Sequence, residues 1–171
     1  MKIPKVFVSR RIPENGFDRM IEFSEVEVWE GDVEPSYEVL LEKVVGVDGL
    51  VCLLTDKIDD QLMAAAGDQL MVVSQMAVGF DNIDTKAATK RGIAVGHTPG
   101  VLTDTTADFA FTLLMAAARR VAEGARYVQE GHWKTWGPTL LMGYDVYGAT
   151  LGLVGSGRIG QAVAQRASGF D

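Results

Sequence analysis

The chain has few of the residues on which disulfide, metal and nucleic-acid chemistry depend. It contains one cysteine, Cys52, so an intrachain disulfide is excluded, and this usage fits a reducing compartment. Its two histidines, His97 and His132, have no partners at metal-ligand spacing, so no metal site is predicted. The 16 basic residues are outnumbered by 23 acidic ones, and the net charge of −7 argues against nucleic-acid and anionic-membrane partners. Long apolar runs are also missing, both for a membrane span and for a signal peptide, so we expect a cytoplasmic protein.

The first hundred residues alternate short apolar runs with amphipathic segments, a pattern typical of parallel α/β sheets. Because the strands are apolar on both faces, helices are expected on both sides of the sheet. Strand order cannot be read from this pattern; we predict a flavodoxin-like order. Strands are predicted over residues 5–9, 26–29, 48–54, 70–74 and 93–95, and helices over 13–23, 35–45, 59–66 and 84–91.

A break containing Pro99 and Gly100 predicts a domain boundary near residues 99–103. The helix predicted over residues 104–120 is apolar almost all round, so we expect it to be buried. A second helix over 121–130 and an irregular aromatic stretch follow, and a strand is predicted over 149–154.

That strand leads into the pattern G-x-G-x-x-G, formed by Gly155, Gly157 and Gly160, and a helix is predicted over residues 161–167. A first glycine permits the tight turn, a second lets the backbone approach a diphosphate, and a third allows close packing of the helix. The helix N-terminus offers free N–H groups to an anion. The sequence therefore predicts a dinucleotide-binding turn.

Several other residues have a structural and a functional interpretation. For His97 we favour a hydrogen-bonded structural role over substrate contact, and for Cys52 a core position over a nucleophile. Asp84 is predicted to cap the following helix and Asp81 to form a turn, although the two carboxylates suggest a catalytic pair. The aromatic stretch favours an interface and packing on its own domain about equally; its large residues are Trp133, Trp136 and Leu140.

Four segments of the chain, in this order and spacing, resemble the D-isomer-specific 2-hydroxyacid dehydrogenases, and among them the glyoxylate/hydroxypyruvate reductases. They are residues 49–56 (GLVCLLTD), 77–84 (AVGFDNID), 98–108 (TPGVLTDTTAD) and 155–161 (GSGRIGQ). A lone G-x-G-x-x-G is a weak signal, but the second and third segments together with it make the resemblance specific.

The resemblance implies two domains and a set of binding residues. Residues 1–100 correspond to the N-terminal part of a flavodoxin-like substrate domain, and residues 101–171 to the beginning of a Rossmann nucleotide-binding domain, incomplete here. In the family, Val78 and Gly79 match the loop whose N–H groups hold the substrate carboxylate, and Leu53 matches a pocket residue. The positions that match the NAD or NADP site are Thr106, Gly155, Gly157, Arg158, Ile159 and Gly160.

The chain lacks positions that match the catalytic residues of the family. The Arg, His and Glu that members use for polarisation and proton transfer lie beyond the fourth segment, so no catalytic residue is assigned here. The residue that selects between NAD and NADP, roughly 20 positions after the turn, is also absent, which leaves that choice open. We expect the 171-residue chain alone to be inactive, and residues beyond about 103 to be exposed, disordered or paired with another chain.

Two functions remain. The first is the N-terminal portion of an NAD(P)H-dependent reductase of small 2-oxo acids such as glyoxylate or hydroxypyruvate, which the resemblance implies to be a homodimer at full length. The second is a non-catalytic binding or assembly module derived from such an enzyme.

Overall fold

The computed structural model describes residues 2–171, and the chain forms two compact units, Met1–Pro99 and Gly100–Asp171. Unit 1 alternates strands and helices with short connections. Its elements are β1 (Lys5–Val8), α1 (Glu14–Ile21), β2 (Glu25–Val28), α2 (Tyr37–Lys43), β3 (Gly49–Cys52), α3 (Asp60–Ala66), β4 (Val72–Gln75), α4 (Thr85–Arg91) and β5 (Ala94–Gly96).

The five strands form one parallel sheet in the order β2-β1-β3-β4-β5. β1 lies between β2 and β3, with Val6 opposite Val26 on one side and opposite Gly49 on the other. The chain therefore leaves β1 toward β2 and returns on the other side to β3, which is the flavodoxin-like order. The predicted fold class of this unit is confirmed.

The core lies against one face of the sheet. Side chains of Phe7, Leu50 and Val73 point to this face and are at most 1% exposed, as are Leu62 and Met63 of α3. The opposite face is less covered than the sequence pattern predicts. Its residues include Val6 and Val51, which are half-buried, and Val72, which is exposed.

Side-chain caps set the starts of three helices. Ser36, Asp59 and Asp84 each accept a hydrogen bond from the N–H three residues ahead, which satisfies one of the free donors of the first turn. Gly67 and Gly92 stand at the C-terminal ends of α3 and α4. The predicted role of Asp84 as a cap is confirmed.

The Asp59 cap carries a testable stability effect. Partial burial on its own raises the pKa of the Asp59 carboxyl, but hydrogen bonds from Lys57, Tyr37 and the Leu62 N–H outweigh it and lower the pKa to about 2. A carboxyl with a lowered pKa stabilises the fold above its ordinary pKa and loses this contribution as the pH falls toward the folded value. We expect Asp59→Ala to lower the free energy of unfolding by about 1–2 kcal/mol near neutral pH, measured by urea denaturation.

The neighbouring Asp60 provides the matched control. It pairs with Arg91 at the exposed surface and caps nothing, so Asp60→Ala is expected to lower the free energy of unfolding much less than Asp59→Ala does. The difference between the two variants should shrink between about pH 4 and pH 2, as the Asp59 carboxyl of the parent chain is protonated. Equal costs for the two substitutions at neutral pH would contradict the capping role.

Unit 2 is helical in the described residues. It contains α5 (Thr103–Ala118), α6 (Val121–Gln129), α7 (Arg158–Ala167) and a short 3₁₀ turn at Ser168–Phe170. α5 and α7 pack together through a small cluster in which Ala107, Ala162 and Val163 are buried. Arg166 on α7 adds ion pairs to two carboxylates of α5, those of Asp104 and Asp108.

Two predictions for unit 2 are wrong. Residues 149–154 form no strand, and Val154 is fully exposed, because a parallel strand needs hydrogen-bonded neighbours and residues 100–171 contain no other strand. The helix predicted to be buried, α5, is largely exposed: Ala107 is its only buried residue, and Phe109 and Leu113 are 64% and 53% exposed. Within unit 2, α7 covers one stripe of α5, around Ala107 and Phe111, and leaves Phe109 and Leu113 exposed.

Candidate functional site

The predicted substrate residues lie together at one edge of the sheet in unit 1. Leu53 is the first residue after β3, and Val78 and Gly79 follow β4, the neighbouring strand. The carboxyl ends of parallel strands meet at the same edge, and ligands of open α/β sheets bind there, next to the point where strand order reverses. Here that point lies between β1 and β3.

Two side-chain amides, one buried and one half-buried, tie the loops of this edge together. Gln75, at the end of β4 and 1% exposed, donates from Nε2 to the Gly79 carbonyl at 3.2 Å and to Oδ1 of Asn82 at 2.9 Å. Asn82 in turn donates from Nδ2 to the carbonyls of Leu53 at 3.0 Å and Asp56 at 2.8 Å. These side-chain bonds add to a backbone bridge between the same two loops, in which the Ile58 N–H donates to the Asn82 carbonyl at 2.9 Å and the Asp84 N–H donates to the Ile58 carbonyl at 2.8 Å.

A buried carboxylate secures the same edge from β1. Asp56 is 2% exposed and accepts hydrogen bonds from the Ser9 hydroxyl and, at 2.7 Å, from the Leu53 N–H. Ser9 itself follows β1, is fully buried and donates its N–H to the Val51 carbonyl at 3.0 Å. Three neighbouring strand ends are therefore locked into one arrangement.

The loop after β4 contains two successive backbone N–H groups that have no hydrogen-bond partner among the described residues. Among the described residues, no hydrogen bond uses the N–H of Val78 or Gly79 as donor, whereas the carbonyls of Ala77, Val78 and Gly79 are all accepting. Val78 is 40% exposed and Gly79 is half-buried. Successive free N–H groups in a turn form a concave donor site for an anion, and a carboxylate fits it.

Asp81 and Asp84, the two carboxylates that suggest a catalytic pair, both have structural roles. Asp84 accepts from the Ala87 N–H at 2.9 Å as the cap of α4, and Asp81 lies in the turn closed by the Ile83 N–H and the Phe80 carbonyl. Both positions match their predicted structural roles. Cys52 is also a core residue: burial, and then the nearby Asp56 charge, raise the pKa of its thiol to about 12.

His97 and His132 occupy unrelated positions. His97 follows β5 and its Nδ1 lies 2.9 Å from the Val78 carbonyl oxygen, which makes Nδ1 the donor. The hydrogen-bonded role predicted for it is therefore found. His132 lies at the surface of unit 2, 3.1 Å from a carboxylate oxygen of Glu130.

In residues 2–171 no three His, Cys, Asp or Glu side chains are grouped as a metal site would require. In the same residues no helix has the length and hydropathy needed to cross a membrane.

The glycine-rich turn of unit 2 adopts a tight bend at the start of α7. Gly155 has φ +100°, a conformation open to glycine and strained for other residues. A Cβ on Gly160 would overlap the carbonyl oxygen of Gly155, so the first and third glycines of the pattern are packed backbone to backbone. α7 begins at Arg158, three residues earlier than predicted, because the helix starts inside the motif.

The N-terminus of α7 is open to an anion. Gly157 precedes the helix, provides no side-chain cap, and a Cβ built on it would meet nothing within 4 Å. The first hydrogen bond into the helix runs from the Gln161 N–H to the Gly157 carbonyl at 2.9 Å, so the N–H groups of Arg158, Ile159 and Gly160 have no intrahelical partner. Three free donors, a helix dipole and an unobstructed backbone fit the diphosphate of a dinucleotide.

The remaining predicted cofactor residue lies on the neighbouring helix. Thr106 is exposed in the first turn of α5, next to Ala107, whose side chain packs against α7. Ile159 is 41% exposed at the start of α7. The structure thus places Thr106 and the glycine-rich turn within one packed unit, and Leu53, Val78 and Gly79 within the other.

Sequence reasoning missed the polar network behind the substrate loops. Its members are Ser9, Asp56, Gln75 and Asn82, and each stands at the end of an apolar strand or in the loop that follows it. That position was the available signal, since polar residues that follow buried strands meet at one sheet edge.

The cavity between the segments after β1 and β2 does not coincide with the predicted substrate site. It has a volume of about 560 Å³ and is lined by Arg10, Trp29 and Asp32 and by none of the predicted substrate residues.

A flavodoxin-like parallel sheet, followed by a glycine-rich turn at a helix N-terminus, is typical of the class of nucleotide-dependent α/β enzymes. The family model described as "D-isomer specific 2-hydroxyacid dehydrogenase, catalytic domain" matches residues 6–170. The chain belongs to this family.

Individual relatives agree with the family model. A glyoxylate reductase of Korarchaeum cryptofilum is 60% identical over 98% of this chain and 50% of its own length. A Thermus thermophilus crystal structure matches with TM-score 0.93 and 50% identity over 97% of this chain and 53% of that one. A Sinorhizobium meliloti glyoxylate/hydroxypyruvate reductase, solved with NADP and malonate, matches with TM-score 0.74 and 29% identity over 99% of this chain and 51% of that one. The chain spans about half the length of the curated relatives it matches.

Proposed function

We propose that this chain provides the carboxylate-binding loop and the dinucleotide-binding turn of an NAD(P)H-dependent reductase that acts on glyoxylate, hydroxypyruvate or a similar 2-oxo acid. The observation that carries the proposal is the pair of unused donor sets, one at Val78 and Gly79 and one at residues 158–160. The curated relatives are glyoxylate reductases, and the Sinorhizobium meliloti enzyme was solved with NADP and a small dicarboxylate.

The roles of the chain's own residues follow from these donors. The N–H groups of Val78 and Gly79 bind the substrate carboxylate, and Leu53 lines the apolar side of the same pocket. The free N–H groups of Arg158, Ile159 and Gly160 bind the diphosphate, while Gly155 and Gly157 keep the backbone accessible, and Thr106 lies near the nicotinamide. When bound, the reduced nicotinamide supplies the hydride that the carbonyl carbon accepts.

Two further expectations belong to this proposal. The 171-residue chain alone is expected to show negligible turnover, because the Arg, Glu and His that the resemblance assigns to carbonyl polarisation and proton transfer are not among its residues. We also expect a homodimer at full length, acting in the cytoplasm. Trp133 and Trp136 support a subunit contact, since they are 50% and 74% exposed.

Titration of the chain with NADH tests the cofactor part of the proposal. We expect the amide resonances of residues 158–160 to shift on addition of NADH, followed in an isotope-labelled sample by NMR. Gly157→Ala is expected to raise the Kd about tenfold or more, since its methyl group occupies the space through which the diphosphate approaches the backbone. NADPH tested in parallel measures the preference between the two cofactors.

The Gly157→Ala variant separates binding from folding. Gly157 has φ −68° and ψ −173°, which any residue adopts, and its Cβ would contact nothing, so the unfolding midpoint is expected to stay unchanged. Shifts confined to other parts of the chain, or an unaltered Kd in the variant, would overturn the proposed cradle. The alternative, a non-catalytic binding or assembly module, predicts at most the weak binding of either nucleotide that any anion would show.

A further inference from the structure

We propose that His97 is a positioning residue for the substrate carboxylate: its side chain donates to the peptide group whose other end, the Gly79 N–H, contacts that carboxylate. This inference rests on the proposed function of the loop after β4. His97 is not itself expected to touch substrate or cofactor, and neither the family model nor the relatives assign it a role.

The segment after β5 forms hydrogen bonds with two successive peptide groups of the loop after β4, through the carbonyls of Ala77 and Val78. The Thr98 N–H donates to the Ala77 carbonyl at 2.9 Å, and His97 Nδ1 lies 2.9 Å from the Val78 carbonyl oxygen. The Phe80 ring packs edge-on against the imidazole, with centroids 5.0 Å apart at 73°, which fixes the ring orientation.

Because the peptide bond is planar, a hydrogen bond to the carbonyl of one residue also sets the direction of the N–H of the next residue. In a trans peptide, the carbonyl of one residue and the N–H of the next lie in one plane and point in opposite directions, and the described residues contain no cis bond. A donor behind the Ala77 carbonyl therefore orients the Val78 N–H, and a donor behind the Val78 carbonyl orients the Gly79 N–H. Both N–H groups then point away from the segment that holds them.

The hydrogen bond from His97 to the Val78 carbonyl also makes the Gly79 N–H a stronger donor. A hydrogen bond accepted by a carbonyl polarises its peptide group, so that the N–H of the same peptide becomes a better donor, by roughly 10–30% per bond in a chain of hydrogen bonds. His97 is exposed, and its removal takes little apolar area from the core. We therefore expect its loss to affect anion affinity far more than stability.

Titration of the 171-residue chain with oxalate, a small stable carboxylate, tests this role. The amide resonances of Val78 and Gly79 report binding, and urea denaturation reports stability. His97→Phe keeps an aromatic ring against Phe80 but removes the donor, and we expect a weakening of oxalate binding of about five- to tenfold. His97→Asn places an amide N–H at the position of Nδ1 and is expected to restore affinity to within about twofold.

Thr98→Ala is the matched control, because the adjacent residue acts through its backbone N–H, which the substitution keeps. Its affinity for oxalate is expected to equal that of the parent chain. The unfolding midpoints of all three variants are expected to match the parent.

The possible failures are distinguishable. If oxalate shifts Val78 and Gly79 equally tightly in the parent and in His97→Phe, the proposed function stands and the role of His97 is overturned. Equal weakening in the Phe and Asn variants, or weakening accompanied by a lower unfolding midpoint, also overturns it in favour of a purely structural role. If the parent chain shows no shift at Val78 and Gly79, the carboxylate-binding loop itself is refuted, and the inference with it.

Discussion

Replacement of Asn82 by alanine is expected to lower the free energy of unfolding of unit 1 by about 3 kcal/mol. The substitution removes both donors that reach the Leu53 and Asp56 carbonyls, and it leaves the amide of the buried Gln75 without its Asn82 partner. A buried polar group that loses its hydrogen bond costs about 1–3 kcal/mol, and here several groups are affected at once. The backbone bridge between the two loops at Ile58 does not involve this side chain, so the loss is expected in the stability of unit 1.

Asn82→Asp is a second test of the same hydrogen bonds, and Asp81→Ala is the control. The aspartate is isosteric but has no donor for the two carbonyls, so it should destabilise unit 1 at least as much as alanine. Asp81 is the exposed neighbour in the same turn, and its replacement is expected to change stability by less than about 0.5 kcal/mol. Stability is measured by urea denaturation with amide resonances of β1, β3 and β4 as probes. Parent-like stability of Asn82→Ala would show that the network is dispensable.

Gly160→Ala is expected to destabilise α7 and its packing on α5 by about 3 kcal/mol and to abolish NADH binding. A Cβ at this position would overlap the backbone carbonyl of Gly155, and a backbone atom has no rotamer by which to give way. The turn must therefore open or the helix must start later, and either change disperses the three free N–H groups. Hydrogen exchange of the α7 amides measures the stability effect, and NADH titration measures the binding effect.

Gly152→Ala is the matched control for this change. Gly152 precedes the same turn, and its Cβ would meet nothing within 4 Å, so exchange protection of α7 and NADH affinity should both remain those of the parent. A Gly160→Ala variant with unchanged protection and affinity would mean that the backbone contact between Gly155 and Gly160 is not required for the turn.

Much of the fold of unit 1 is local in origin and was predictable. The five strands are β-branched or apolar runs that fall within about two residues of their predicted bounds. Asp84 caps its helix because a short acceptor side chain stands where the first turn has free donors, and this is visible in sequence. The flavodoxin-like order was predicted correctly, but right-handed crossovers in a parallel sheet allow other strand orders as well, so the local pattern does not imply this one.

Unit 2 shows where local pattern fails. Residues 149–154 have the composition of a strand, and α5 has that of a buried helix, yet neither finds the neighbours that its pattern implies within residues 100–171. Strand formation and burial are properties of the surroundings, and a sequence pattern states only what a segment requires.

The sequence by itself determined the strands and helices of unit 1 and the glycine-rich turn, because each depends on contacts within a few positions of the chain. Residues 78 and 79 were indicated by the resemblance to the family. Only the tertiary structure decided that Ser9, Asp56, Gln75 and Asn82 form one network and that His97 lies behind the Val78 carbonyl. These partners are 7 to 47 residues apart, and the parallel sheet brings them together by aligning the carboxyl ends of its strands.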